Sequence, residues 1–163
     1  MAFFAHSTQR PDRSDWQALA EHLQNVAAIA SDKASLFGAG GMAEVAGLLH
    51  DLGKYSDDFQ RRVAGDAIRV DHATRGAMLA VERYKHTGML LAYGIAGHHA
   101  GLANGSEGGE RTALSDRLKG VGLPPLREEW QYEVTLPEQL LPPKLVLKKE
   151  RAMFQFAFFA RML

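Results

Sequence analysis

The sequence predicts an all-α fold, in which about six or seven helices form a compact bundle around one core. Apolar residues recur at helical spacing in several segments, and stretches rich in glycine or proline separate those segments. The chain has 163 residues, and 46% of them are hydrophobic, which suffices for one domain with a sizeable core. We therefore expect a single domain that spans residues 1–163.

The predicted helices have recognisable start and stop signals. Ser14 is a suitable N-cap for the first helix, and Gly53 is a suitable end for the second. In chain order, the predicted helices cover about residues 14–30, 42–52, 57–63, 71–81, 87–98 and 144–163. The last of these is strongly apolar, so we expect the chain to end inside a core helix and to be truncated at its C-terminus.

The region from Gly120 to Pro143 is the least regular part of the chain. It contains five of the six prolines, and Tyr132 opens a stretch with the residue types of a short strand. We therefore predict an insertion on the surface here, with a short β-hairpin near Tyr132.

The composition excludes several classes of protein. The 19 basic and 19 acidic residues give a formal net charge of zero, which counts against a stand-alone nucleic-acid-binding protein but not against a nuclease. The absence of cysteine excludes disulfides, thiolate zinc sites and cysteine nucleophiles. No apolar run approaches the ~20 residues that span a bilayer, and the N-terminus lacks signal-peptide features. We expect a cytoplasmic protein that does not bind a membrane.

The seven histidines carry most of the information about function. His50 and Asp51 lie in the apolar segment Ala46-Gly-Leu-Leu-His-Asp-Leu-Gly-Lys54, so both should be buried. An isolated buried carboxylate costs on the order of several kcal/mol, and a bound cation would compensate it directly. Asp and His together suit Mn, Fe, Ni or Zn. The alternative is a capped structural carboxylate, with His50 as a hydrogen-bonded core residue.

Four further histidines are candidate ligands, and each has a structural alternative. His22 shares the inward stripe of the first helix, where a lone histidine is more often a hydrogen-bonded core residue. His72 stands where a helix should begin and by itself suits a cap. His98 and His99 follow an apolar helix, and adjacent residues project about 100° apart, so they need not share one ion. His86 lies in a polar stretch and is expected to be exposed.

The ordered set of these residues resembles the HD domain of the CRISPR-associated nuclease-helicase of type I systems. The matching segments are Phe4-Ala-His-Ser7, Trp16-x-x-Leu-x-x-His22-Leu-x-x-Val-Ala27, Gly47-Leu-Leu-His-Asp-Leu-Gly-Lys54, Asp71-His-Ala-x-x-Gly-Ala77 and Gly97-His-His-Ala-Gly-Leu102. The resemblance covers roughly residues 3–103 and the final helix. It implies a helical bundle of the HD-domain type, with a metal site between the helices.

The resemblance also implies roles for the matched residues. The metal ligands would be His22, His50, Asp51, His72, His98 and His99. The first three would hold one ion, and Asp51 would share a second ion with the last three. Lys54 would face the scissile phosphate or the leaving oxygen. The cofactor would be two divalent ions of Mn, Ni, Fe, Co or Mg. The expected substrate is single-stranded DNA, and the expected partners are a CRISPR helicase domain or subunit and a guide-RNA surveillance complex.

One departure from the family pattern concerns the C-terminus. The pattern ends with a further Asp that completes the first metal site, after a helix that resembles residues 154–163, where this chain stops. Asp116 is the nearest substitute, and its loop-rich surroundings disfavour it. We therefore expect a complete second site and an incomplete first one, in a stand-alone nuclease subunit or in a piece of a helicase fusion.

Two other functions stay open at this point. HD phosphohydrolases that act on nucleotides or cyclic dinucleotides typically need one His, one His-Asp pair and one Asp, so the extra histidines favour the nuclease. A non-catalytic metal-binding module is favoured by the missing last Asp and disfavoured by the intact remainder. Metal content would separate such a module from the two enzymes.

Overall fold

The computed structural model describes residues 2–10, 12–99, 101–102, 104, 112–143 and 148–163. Its elements are β1 (Phe4–His6), β2 (Gln17–Ala18), α1 (Leu19–Ser35), α2 (Gly40–Leu49), α3 (Asp57–Val63), α4 (Thr74–Gly97), α5 (Leu114–Arg117), α6 (Trp130–Glu133) and α7 (Ala152–Met162). Two 3₁₀ helices, Leu52–Tyr55 and Lys149–Arg151, precede α3 and α7. The predicted all-α class is therefore confirmed. Within the described ranges, none of the helices has the length and apolar character that crossing a bilayer requires.

Helices α1 and α2 pack closely at the centre of the fold. Leu19, Leu23 and Ala27 are buried and recur every four residues, which places them on one face of α1. The backbone of Gly47 in α2 lies directly against α1, because a Cβ at Gly47 would come within 2.5 Å of the Ala27 Cα. This close approach brings His22 of α1 beside the end of α2.

The chain turns sharply after α2. Helix α2 ends at Leu49, and the 3₁₀ helix Leu52–Tyr55 begins after two intervening residues. The Gly53 N–H donates to the His72 carbonyl at 2.9 Å, and a side chain at Gly53 would clash with the His72 backbone. The turn therefore holds the segment before α4 against the end of α2. Helix α3 follows with the bounds that the sequence predicts.

Helix α4 folds back on itself at Lys85. A straight α-helix of its 24 residues would be about 36 Å long. The rings of His72 and His98, at its two ends, are only 5.7 Å apart. The chain therefore reverses at Lys85, whose φ of 52° and ψ of −119° are not helical. The sequence predicts two helices here, at about 71–81 and 87–98, and the reversal lies between them.

The predicted start of the first helix is wrong. Ser14 lies in a turn, where its N–H and its hydroxyl both donate to Asp12, and α1 begins only at Leu19. Between them, β2 pairs with β1 in the register of Phe4 with Ala18. The segment before Leu19 is thus partly extended, because pairing with β1 satisfies its backbone groups.

The hairpin predicted near Tyr132 is wrong as well. This segment forms the short helix α6, and the sheet in the described part of the chain is the β1–β2 pair. Val134 is buried in the core, and the Tyr55 hydroxyl donates to Glu133 at 2.8 Å. Side-chain contacts rather than strand pairing therefore attach this region to the core.

The final helix is less buried than the sequence predicts. Helix α7 begins at Ala152, and residues 144–147 of the predicted helix lie outside the described residues. Within α7, Phe159 and Ala160 are buried, whereas Phe154 is 71% exposed. The helix is apolar on most sides but packs on α4 through one of them, so it lies at the surface instead of in the core.

Candidate metal centre

Six side chains converge where α1, the end of α2 and the two ends of α4 meet. They are the six that the sequence proposes as ligands, namely His22, His50, Asp51, His72, His98 and His99. They form two groups that share Asp51, and within each group the possible ligand atoms lie within 4.8 Å of one another. We name them the His22 group (His22, His50 and Asp51) and the His72 group (Asp51, His72, His98 and His99).

The Asp51 carboxylate presents one oxygen to each group. Its Oδ2 lies 3.2 Å from His22 Nε2 and 3.1 Å from His50 Nε2. Its Oδ1 lies 3.4 Å from both His72 Nε2 and His98 Nε2. Oδ1 is buried and, among the described residues, accepts no hydrogen bond. A buried carboxylate oxygen without a donor is costly, and a cation in the His72 group would compensate it.

Backbone carbonyls determine which nitrogen of two histidines faces this carboxylate. The Nδ1 of His50 lies 2.7 Å from the Gly47 carbonyl, and the Nδ1 of His98 lies 2.7 Å from the Ile95 carbonyl. A carbonyl oxygen can only accept, so each Nδ1 carries a proton and donates it. The Nε2 of each neutral ring then offers a lone pair toward Asp51, which is the form of histidine that binds a metal.

The surroundings favour the protonation states that metal ligands need at Asp51 and His72, whereas contacts with Asp51 outweigh burial and raise the pKa of His98. Burial alone would raise the pKa of Asp51, but contacts with His22 and His50 outweigh it and hold the pKa far below its ordinary value. Burial lowers the pKa of His72 to about 4, although the Asp51 carboxylate opposes this shift. At pH 7, Asp51 is therefore ionised and His72 is neutral.

Lys54 is buried beside Asp51. Its side chain is 4% exposed, and its Nζ lies 2.8 Å from Asp51 Oδ2. The Nζ also donates to the Ala5 carbonyl at 3.1 Å and lies 5.1 Å from the centroid of the Phe59 ring. Two of its three donors are thus directed at protein groups, so Lys54 neutralises part of the charge of Asp51. Its predicted contact with a phosphate would use the remaining donor, and this role stays a prediction.

Arg117, which the sequence does not single out, joins the two ends of α4. Its Nε donates to Thr74 Oγ1 at 3.1 Å, and its Nη1 donates to the Ala96 carbonyl. Its Nη2 lies 3.3 Å from Asp71 Oδ2, and the Thr74 N–H donates to Asp71 Oδ1 at 2.9 Å. Asp71 followed by Thr74 is a recognisable helix-capping signal, but no local pattern connects it with an arginine 43 residues further on. We name these contacts of Arg117 with Asp71, Thr74 and Ala96 the arginine clamp; it joins the segments that carry His72 and His98.

The other two histidines and Asp116 lie outside both groups. His6 is close to the centre, with its ring centroid 5.0 Å from that of His22, but it belongs to neither group. His86 is exposed, as the sequence predicts. Asp116, which the sequence disfavours as a ligand, pairs with Lys119 at 2.5 Å. Within the ranges that the structure describes, no further carboxylate joins the three members of the His22 group.

The donor set fits a divalent metal ion. Imidazole nitrogens together with a carboxylate suit Mn, Fe, Co, Ni or Zn, and the buried Asp51 Oδ1 accepts no hydrogen bond in the described residues. A helical fold with such a centre between its helices defines a metal-binding helical domain. Residues 19–139, well over half of the chain, match the HD domain, so the chain belongs to the HD domain family. An HD domain implies a metal-dependent phosphohydrolase. Comparison with curated proteins gives no match.

Proposed function

We propose that this chain is a nuclease that hydrolyses phosphodiester bonds of single-stranded DNA with two divalent ions. The observation that carries the proposal is the position of Asp51, whose two oxygens face two different groups of histidines. When bound by these residues, divalent ions would supply a nucleophilic water at neutral pH and would stabilise the negative charge of the reacting phosphate. Phosphodiester hydrolysis is a reaction that makes use of both effects.

The side chains of the centre hold and orient the ligands for this reaction. Asp51 is kept in place by its ion pair with Lys54, at 2.8 Å. The Gly47 and Ile95 carbonyls orient His50 and His98, as described above. His99 is exposed, so the His72 group is open toward solvent and a polynucleotide phosphate can approach it.

The composition of the His72 group favours a nuclease over a nucleotide phosphohydrolase. HD phosphohydrolases that act on nucleotides or cyclic dinucleotides typically need one His, one His-Asp pair and one Asp. This chain places three further histidines, His72, His98 and His99, around the second oxygen of Asp51. Additional ligands at that oxygen support a second ion, which is why the nuclease is the function that we favour.

The biological setting that we propose is type I CRISPR interference in the cytoplasm. The support is the resemblance of Phe4-Ala-His-Ser7 and Gly97-His-His-Ala-Gly-Leu102 to the HD domain of the nuclease-helicase. A helicase domain or subunit would deliver the strand, and a guide-RNA surveillance complex would expose it. Such partners would also add positive charge to a chain whose formal net charge is zero.

Cleavage of circular single-stranded DNA tests this proposal, because a circle reports cleavage without needing a free end. The assay compares the wild-type chain with Asp51→Ala in Mn²⁺, Ni²⁺ or Mg²⁺. Asp116→Ala is the matched control, since it removes a carboxylate that belongs to neither group. We expect metal-dependent cleavage by the wild type and the control, and a loss of about 10³-fold or more in Asp51→Ala, because both ions lose their shared ligand.

Other outcomes would identify the alternatives. Cleavage that persists in Asp51→Ala would overturn the two-ion mechanism. Hydrolysis of nucleotides or cyclic dinucleotides without cleavage of DNA would assign the chain to the other HD phosphohydrolases. Metal binding without hydrolysis of either kind of substrate would show a non-catalytic module.

A further inference from the structure

A groove leads from the His72 group along the space between β1 and α3. Its volume is about 450 Å³, and its lining includes His72 and His99 of the metal centre together with Arg62 of α3. Phe59 contributes to its wall and packs against the metal centre, with its ring centroid 5.1 Å from that of His72. A strand in this groove would therefore pass directly beside the ligands of the His72 group.

The charge of the groove suits an anion. Its charged lining residues are Lys54 and Arg62, and no carboxylate is among its described lining residues. Lys54 is already paired with Asp51 at 2.8 Å. The Arg62 guanidinium, by contrast, has neither an ion pair nor a hydrogen bond in the described part of the chain. Arg62 is therefore the positive charge of the groove that is available to a ligand.

The neighbouring Arg61 differs from Arg62 in position and in pairing. Arg62 follows Phe59 by three residues and so shares its face of α3, whereas Arg61 projects from another face. Arg61 Nε lies 2.9 Å from Asp66 Oδ2, and Arg61 does not line the groove. Two adjacent residues of the same type thus offer a matched comparison of a free charge and a paired one.

A second groove beside α3 has the opposite character. It has a volume of about 510 Å³, and its lining includes Asp57, Asp58, Glu128 and Glu129. Arg127, which also lines it, is paired with Asp57 at 2.8 Å. This groove would repel a polyanion, so the charges around α3 direct a nucleic-acid strand to the side that carries Arg62.

We propose that Arg62 binds a phosphate group of the DNA substrate, on the same strand as the phosphodiester that is hydrolysed and next to it. A guanidinium can donate two hydrogen bonds to one phosphate, and it stays charged throughout the neutral pH range. This assignment rests on the nuclease function proposed above, and it adds a substrate contact outside the metal ligands. It predicts that Arg62 matters for a polynucleotide and not for a small ester with a single phosphodiester.

The test compares two substrates in Mn²⁺, a linear 20-nucleotide oligothymidylate and bis(p-nitrophenyl) phosphate. For the oligonucleotide, we expect Arg62→Ala to lower kcat/KM about tenfold, mainly by raising KM, because one charge-assisted contact is lost. The slope of log(kcat/KM) against log salt should become shallower by about 0.7, the value for one phosphate contact to a single strand. Hydrolysis of bis(p-nitrophenyl) phosphate should stay unchanged, and Arg62→Lys should recover only part of the oligonucleotide activity, because it keeps the charge but not the paired hydrogen bonds. Arg61→Ala should alter neither substrate.

Each other result has a definite meaning. If the wild type cleaves the oligonucleotide and Arg62→Ala has the same kcat/KM, the proposed role of Arg62 is wrong, while the proposed nuclease function is retained. An equal loss on both substrates, or the same loss in Arg61→Ala, would also overturn the assignment, because the effect would then be structural or general. If the wild-type chain does not cleave the oligonucleotide, the proposed nuclease falls, and the role of Arg62 falls with it.

Discussion

The His22 group and the His72 group share Asp51 but are built in different ways. The His22 group arises from one contact between neighbouring helices, in which Gly47 lies against Ala27 and brings the end of α2 beside His22. The His72 group depends on the reversal of α4 at Lys85 and on the arginine clamp across its ends.

The two groups also differ in their number of ligands. The His72 group has four members, and it contains the buried Asp51 oxygen that lacks a hydrogen bond in the described residues. The His22 group has three members, and its Asp51 oxygen already contacts Lys54 at 2.8 Å. We therefore expect the His72 group to bind a divalent ion more tightly than the His22 group, because it offers more ligand atoms and a buried carboxylate oxygen that accepts no hydrogen bond in the described residues.

The largest effect should appear in metal binding by variants of single ligands. Titration of the metal-free chain with Mn²⁺ or Ni²⁺, followed by calorimetry, should show a tighter and a weaker site. We expect His72→Ala to weaken the tighter site about 100-fold, His22→Ala to weaken only the other one, and Asp51→Ala to weaken both. His86→Ala is the control, since it removes an exposed histidine that belongs to neither group. An equal effect of His22→Ala and His72→Ala on one site would remove the distinction between the groups.

A smaller effect should follow from Arg117→Ala. This change removes hydrogen bonds to Thr74 and Ala96, so it should lower the free energy of unfolding by about 2 kcal/mol. Because the ends of α4 would separate, the affinity of the tighter site should fall about tenfold, while the weaker site is unaffected. Denaturant unfolding and metal titration measure the two quantities.

Arg83→Ala is the control for this prediction. Arg83 also extends from α4, and it donates to the exposed carbonyls of Leu136 and Pro137, away from the ligands. We expect a loss of less than about 1 kcal/mol in the free energy of unfolding and no change in metal affinity. If the metal affinity of Arg117→Ala is as unchanged as that of Arg83→Ala, the arginine clamp does not shape the His72 group.

The smallest effect concerns the reversal of α4 itself. Lys85 has a φ of 52°, a conformation that costs a side-chain-bearing residue on the order of 1–3 kcal/mol and costs glycine little. We expect Lys85→Gly to raise the free energy of unfolding by about 1 kcal/mol and to keep metal binding intact. Lys33→Gly in α1 is the control. It should lower the free energy of unfolding by up to about 1 kcal/mol, because Lys33 lies in a helix, where glycine is unfavourable. A destabilised Lys85→Gly protein would mean that the lysine side chain supports the reversal.

Sequence patterns predict this fold best where the signal is local. The bounds of α3 and the break between the halves of α4 were both predicted, and local features account for them: Ser56 caps α3, and the stretch around His86 is polar. The start of α1 was mispredicted because strand pairing with β1 competes with the helix that begins at Ser14 in the prediction. The segment at Tyr132 was mispredicted because packing of Val134, and not residue preference, decides its conformation.

By itself, the sequence determined the helical class and nominated six candidate ligands. Helical spacing is a local property, and the chemistry of a ligand depends on residue type, so both can be read without coordinates. Only the tertiary structure decided that Asp51 turns one oxygen to each group and that Lys54 is used as its ion-pair partner. It alone also revealed Arg117 and Arg62. These properties depend on distances between segments that are far apart in the chain, and no local pattern encodes such distances.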